Sequence, residues 1–245
     1  MVRYKLIRIL RALLKLNSLE RIRNFLRVSK LTSFDSPFII SLSQAGEDIA
    51  LLSVFGDKQP GTYIDIGAHH PSRFSVTSLL YTLGWSGVNV DANPELIKEF
   101  QNVRKRDINL CVAVGLEQRY SFYIFDEPAV STISPIWRER FISEKYSVSK
   151  VIEVQGKTLR EILDNFEKVK PVDLISIDAE GSDLEVLQSL YFNTLEKSRF
   201  PKWLLVETAP PVKNSLEEPS VKLAISWGYE PYLILSMSTL LKLRD

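Results

Sequence analysis

The chain has one cysteine, two histidines and no long apolar run. With Cys111 alone among 245 residues, no internal disulfide can form and no CxxC metal or redox site exists. A reducing, cytoplasmic setting is the expectation that follows. No uncharged stretch approaches the roughly 20 residues that span a bilayer. Arg8 and Arg11 interrupt the N-terminal apolar stretch, which therefore does not read as a signal peptide. Two nucleotide motifs are also missing. The glycine triplet G-x-G-x-x-G of dinucleotide sites and the phosphate-cradling G-x-x-x-x-G-K-[ST] loop do not occur.

Net charge is nearly absent as well, at +1, but it is unevenly spread. Residues 1–30 hold nine Lys/Arg and one acid, whereas the rest holds 22 Lys/Arg and 29 Asp/Glu. The body is mildly acidic and is not expected to bind nucleic acid. In the arm, Val2, Leu6, Ile9, Leu10, Leu13 and Leu14 recur at helical spacing between basic residues. Two readings stand for this arm, taken as residues 1–36. One is packing on the domain or in a homo-oligomer. The other is peripheral contact with anionic membrane at its inner face.

What is present is a series of short apolar runs that each end in an acid. Thr62–Ile66 is β-branched, carries Asp65 and runs straight into Gly67-Ala68. That is the pattern of a buried strand entering a tight turn. Gly87–Asp91 ends in Asp91, Val172–Asp178 in Asp178, and Trp203–Glu207 in Glu207. Helical segments are expected at Ile49–Phe55, Ser72–Leu83, Glu95–Arg104, Leu159–Phe166, Ser182–Leu190 and Val221–Trp227. Further strands are expected at Ile108–Val114, Tyr120–Phe125, Val151–Val154 and, last, Tyr232–Leu235. Asp126–Lys150 shows no periodicity and reads as a lid or substrate loop. Strands alternating with helices predict an α/β, doubly wound, Rossmann-like sheet over 37–245.

In such sheets ligands bind beyond the carboxyl ends of the strands. Several acids at one edge need partners, because buried ionised carboxylates are costly. An acid ending the second strand, Asp91, is placed to accept from ribose hydroxyls. The edge has acids where a pyrophosphate would need glycines. A ligand with a cationic centre and no phosphate suits it, and S-adenosylmethionine has both traits.

The motifs SQAGED at 43–48, YIDIGAHHP at 63–71, VNVDANP at 88–94, NLCVAVG at 109–115, ISIDAEGSDLEVL at 175–187 and LLVET at 204–208 resemble the FkbM-type methyltransferases. The resemblance implies a class I methyltransferase fold and methyl transfer from S-adenosylmethionine to a hydroxyl oxygen. It also implies acceptors such as sugars of cell-surface polysaccharides and related natural products. His69-His70-Pro71 departs from the family's DIGANxG turn. On this footing Asp65, Gly67 and Ala68 are expected at the cofactor's amino-acid portion, Asp91 at its ribose and Ala113 at its adenine. Gln44 and Asp48 are expected to close the site from the N-terminal side. Asp178 is the expected base and also a cofactor neighbour, Glu180 orients the acceptor, and His70 is the rival base. No metal site is assigned, although Asp178 and Glu207 are a carboxylate pair. A nicotinamide-dependent oxidoreductase and a non-catalytic scaffold recruited by the basic arm are the alternatives.

Overall fold

The computed structural model describes residues 41–56, 59–167, 171–208 and 215–244. The arm at 1–36 lies outside them. From Leu42 onward the chain is one unit. In order, its helices and strands are α1 (Glu47–Phe55), β1 (Thr62–Ile66), α2 (Ser78–Thr82), β2 (Ser86–Asp91), α3 (Pro94–Val103), β3 (Ile108–Cys111), β4 (Ala113–Val114), β5 (Arg119–Phe125), α4 (Pro135–Ser143), β6 (Val148–Lys157), α5 (Leu159–Glu167), β7 (Leu174–Ile177), α6 (Asp183–Gln188), β8 (Trp203–Glu207), α7 (Pro219–Ser226), β9 (Tyr229–Ile234) and β10 (Ser238–Leu243).

Seven strands form one sheet in the order β3-β2-β1-β7-β8-β10-β9. β10 runs antiparallel to both its neighbours, and the other pairs are parallel. Alternation along each strand feeds two faces. Ile64, Ile66, Ile175, Ile177, Leu204 and Val206 join the core with α5, α6 and α7. Tyr63, Leu174, Trp203 and Leu205 join the other core with α1, α2 and Trp85. Strands this apolar on both sides have to be covered by helices on both sides. The chain winds outward from β1 in both directions, so the crevice between β1 and β7 is the switch point where ligands are admitted.

Several boundaries depart from the pattern-based expectation. Ser72–Leu83 is helical only over Ser78–Thr82. Its first half is instead an irregular turn bound to buried Arg104, which donates to the Pro71 carbonyl at 2.9 Å and to Ser75 Oγ at 2.9 Å. The run Ile108–Val114 breaks at Val112. β3 stays in the main sheet, while β4 pairs with β6 in a second sheet ordered β4-β6-β5. The loop expected at Asp126–Lys150 contains α4, which starts with Ser134 accepting from the Trp137 amide at 3.3 Å and with Pro135 in its first turn. β6 is ten residues long, against the four of Val151–Val154. β10 has no counterpart among the expected strands. Its Ser-Thr-Leu-Leu-Lys-Leu run has no alternation, because both of its faces are buried at residues 238–241.

Candidate active site

At the carboxyl ends of β1, β2 and β7 lies a cleft enclosing about 770 Å³, part of it open to solvent. Its floor is made by Gly67, Val90, Asp91 and Ala113, and its apolar wall by Val112, Phe122 and Ile133. Gly67 has φ 72°, and a Cβ there would stand 1.6 Å from the Asp178 carbonyl oxygen. The turns after β1 and β7 therefore abut, and only glycine lets them do so.

Asp91 sits where β2 hands over to α3. Its Oδ1 accepts from the Asn93 amide at 2.7 Å and its Oδ2 from the His69 amide at 2.9 Å. Asn93 in turn caps α3, accepting from the Glu95 amide at 3.0 Å, with Pro94 at the first helical position. Local sequence thus fixes this carboxylate twice over. A carboxylate offers about four acceptor directions, so lone pairs remain for ligand hydroxyls. Burial raises the Asp91 pKa to about 6, against the two amide bonds that lower it.

The turn after β7 is a second acidic centre. Burial, reinforced by Asp183, pushes Asp178 up to about 7. Burial together with Asp178 and Asp183 pushes Glu180 up to about 9. Glu207, at the end of β8, is raised well above the carboxylate range by burial and by Asp178, and it hydrogen-bonds Asp178. Glu180 has φ 46°, a left-handed conformation that costs a side chain energy. It is held there because Thr132 Oγ1 donates to its carbonyl at 2.9 Å. The next residue, Gly181, has φ 90°, and a Cβ on it would meet Trp137 Cδ1 at 2.0 Å. The indole of α4 is seated directly on the acidic turn.

Of the residues singled out in the sequence, Gln44, Gly67, Asp91, Ala113, Asp178 and Glu180 come together at the cleft. Four others do not. Asp65 shares a strand face with Tyr63, away from the cleft, and accepts from Thr77 Oγ1 at 2.7 Å. Burial raises its pKa to about 6. Ala68 packs on Ile97 and Phe100 of α3. Asp48 serves the entry to α1, accepting from the Leu42 amide at 2.7 Å and from Ser43 Oγ at 2.9 Å. His70 is committed to its own turn. Its Nδ1 accepts from the Ser72 and Arg73 amides at 3.0 and 2.8 Å, and its Nε2 lies 2.8 Å from Glu99 Oε2. The imidazole on the cleft is that of His69, which stacks on Phe74 with centroids 6.1 Å apart. Burial, then Arg73, lower its pKa to about 4, so it is neutral. The pairing His69-His70 carries no signal of which ring faces in.

No Lys or Arg is among the described residues lining the cleft. Acceptors for hydroxyls, an apolar wall for a flat base and carboxylates near a cationic centre fit S-adenosylmethionine.

The sequence pattern of the methyltransferase FkbM domain matches residues 65–212, more than half the chain. Among solved structures the chain is similar to the O-methyltransferase from Bacillus cereus in complex with SAH, at 11% identity and TM-score 0.43, covering 92% of this chain and 90% of that one. It is similar to a precorrin-6y C5,15-methyltransferase from Geobacter metallireducens, at 11% identity and TM-score 0.43, over 81% and 86%. It is also similar to the N-terminal domain of human METTL16 in complex with SAH, at 14% identity and TM-score 0.42, over 91% and 80%. No curated protein matches the chain.

Proposed function

The chain belongs to the FkbM methyltransferase family, and from that premise we propose that it methylates a hydroxyl oxygen, one borne by a sugar of a cell-surface polysaccharide or a related natural product. It is a methyltransferase, and its cofactor is S-adenosylmethionine. When bound, the cofactor supplies a methyl group activated on a sulfonium. The nicotinamide and scaffold alternatives have no support left.

In this reading Asp91 accepts from the ribose hydroxyls. Ala113, Val112, Phe122 and Ile133 take the adenine, and the Gly67 turn lets the ligand approach the backbone closely. Asp178 removes the proton of the acceptor hydroxyl as the new bond forms. Glu180, protonated, donates a hydrogen bond that orients the acceptor. Glu207 holds Asp178 in place by the hydrogen bond between them. Alignment of the three reacting atoms is the larger part of such a displacement, and the positioned base adds about 10²–10⁴-fold.

The observation that carries the reading is Asp178 at the cleft, hydrogen-bonded to Glu207 and raised to about 7 by burial. It offers an ionisable oxygen whose pKa lies near working pH, where a general base is most effective. Asp178→Asn keeps shape and removes basicity. We expect it to lower kcat by about 10²–10⁴-fold while S-adenosylmethionine affinity in a titration stays within a few fold. Turnover near that of the wild type would overturn the assignment of the base.

A further inference from the structure

The loop between β5 and α4 is fastened at its base and at its tip by bonds of different kinds. At the base, Thr132 exchanges two backbone hydrogen bonds with Tyr123, at 2.9 and 3.1 Å. Its hydroxyl binds the Glu180 carbonyl, and the residue is buried. Phe125, anchoring the other side, is buried as well. The tip is the single turn Pro128–Val130, capped by Glu127, which accepts from the Ala129 amide at 3.1 Å. Pro128 and Ala129 of this tip line the cleft.

What fastens the tip across the cleft is a two-pronged ion pair. Arg73 donates through its two terminal nitrogens to Glu127 Oε1 and Oε2 at 2.9 and 2.8 Å. Arg73 belongs to the turn after β1. Its guanidinium also covers the Phe74 ring at 4.4 Å and lies 3.4 Å from His69 Nε2. Both of those rings line the cleft. The pair is 37% and 35% exposed, so solvent and salt reach it, unlike the buried bonds at the base. Segments held by exposed bonds open at lower free energy than those held by buried ones.

We propose that the Arg73–Glu127 pair is a latch: it holds the Glu127–Val130 tip over the adenosine half of the cleft, and its release admits the cofactor and lets the demethylated product leave. The inference rests on the placement of the cofactor given above. The Thr132 end acts as the hinge, and α4, seated on Gly181, does not move. The latch sets exchange rates and leaves the chemical step to the acidic turn.

The test is stopped-flow binding of S-adenosylhomocysteine to the full chain, with wild type, Glu127→Gln, Arg73→Glu and the reversed pair Arg73→Glu/Glu127→Arg. Glu127→Gln is expected to raise the dissociation rate about 2–5-fold, the upper part of the range for an exposed ion pair. Wild-type dissociation should quicken as salt is added, whereas that of Glu127→Gln should not. The reversed pair should restore slow release, which a merely structural role for either residue would not produce. Unchanged dissociation in Glu127→Gln overturns the latch, as does failure of the reversed pair to restore it. Asp91→Ala, measured alongside by equilibrium titration, separates the two ideas. If it weakens binding while Glu127→Gln changes nothing, only the latch is wrong. If it too leaves binding unchanged, the placement of the cofactor is wrong.

Discussion

At the scale of single residues, the site is a matter of which carboxylates keep free acceptor capacity. Asp91 spends one direction on each oxygen to hold the turn and offers the rest to a ligand. Removing it as Asp91→Ala should weaken cofactor binding by about 1–3 kcal/mol, the cost of deleting a buried acceptor, measured by calorimetric titration. Asp178 must be ionised to act. With its pKa raised to about 7 by burial and Asp183, kcat/KM should climb as pH rises through that region, and a cation beside it moves the rise to lower pH. A profile that falls over the same interval would contradict Asp178 as base. His70→Gln should lower thermal stability more than turnover, because its ring serves the Ser72 and Arg73 amides and Glu99.

At the scale of elements, α4 and the acidic turn form one part. Gly181→Ala adds a methyl group where the indole of Trp137 already lies and demands a left-handed residue. Overpacking of this kind costs about 1–3 kcal/mol. Activity should be lost in excess of any loss in cofactor binding, since Asp178 and Glu180 move while Asp91 does not; equal loss of both would contradict this. Four of the parallel strands, β1, β2, β7 and β8, are legible in the sequence because each is a short apolar run with an acid at or next to its end, and β8 matches its expected span residue for residue at Trp203–Glu207. Two elements are hidden for physical reasons. Arg140 and Glu144 accompany α4 with no apolar face to betray it, although Ser134-Pro135 is a readable start signal. β10 is buried at both faces and so lacks the alternation that identifies strands. The site is legible to the same extent. Acids at strand ends mark the edge, but facing depends on register, and Asp65 points with Tyr63 to the opposite core.

At the scale of the whole molecule, the acid-rich edge couples folding to pH. Asp65 and Asp91 are raised to about 6 and Asp178 to about 7, each first by burial. A carboxyl raised above its unfolded pKa binds more protons in the folded state, so stability falls as pH rises from about 4 to 7. Every tenfold gain in a carboxyl's proton affinity on folding corresponds to about 1.4 kcal/mol. The ligand-free protein should therefore melt several degrees higher at pH 5 than at pH 7.5, by roughly 2–4 °C per kcal/mol. Adding S-adenosylmethionine should narrow that gap more than adding its uncharged-sulfur product does. A melting temperature that rises with pH in the absence of ligand would contradict the burial of these acids. Among the described residues no helix is long and apolar enough to cross a membrane. For the basic arm, whose nine Lys/Arg lie within 30 residues, flotation with anionic vesicles that is lost at high salt would identify a peripheral contact. A change from dimer to monomer on removal of residues 1–35 would identify a subunit contact.

The measurement that bears most directly on the central claim is the destination of the methyl group. S-adenosylmethionine labelled with carbon-13 on that methyl is incubated with the enzyme and a panel of oligosaccharide acceptors, and the products are read by carbon–proton correlation NMR. The account predicts a new methoxy signal on a sugar carbon with the wild type and its near absence with Asp178→Asn. A label found on nitrogen or carbon, or a methoxy signal of equal intensity from the Asn variant, would contradict it.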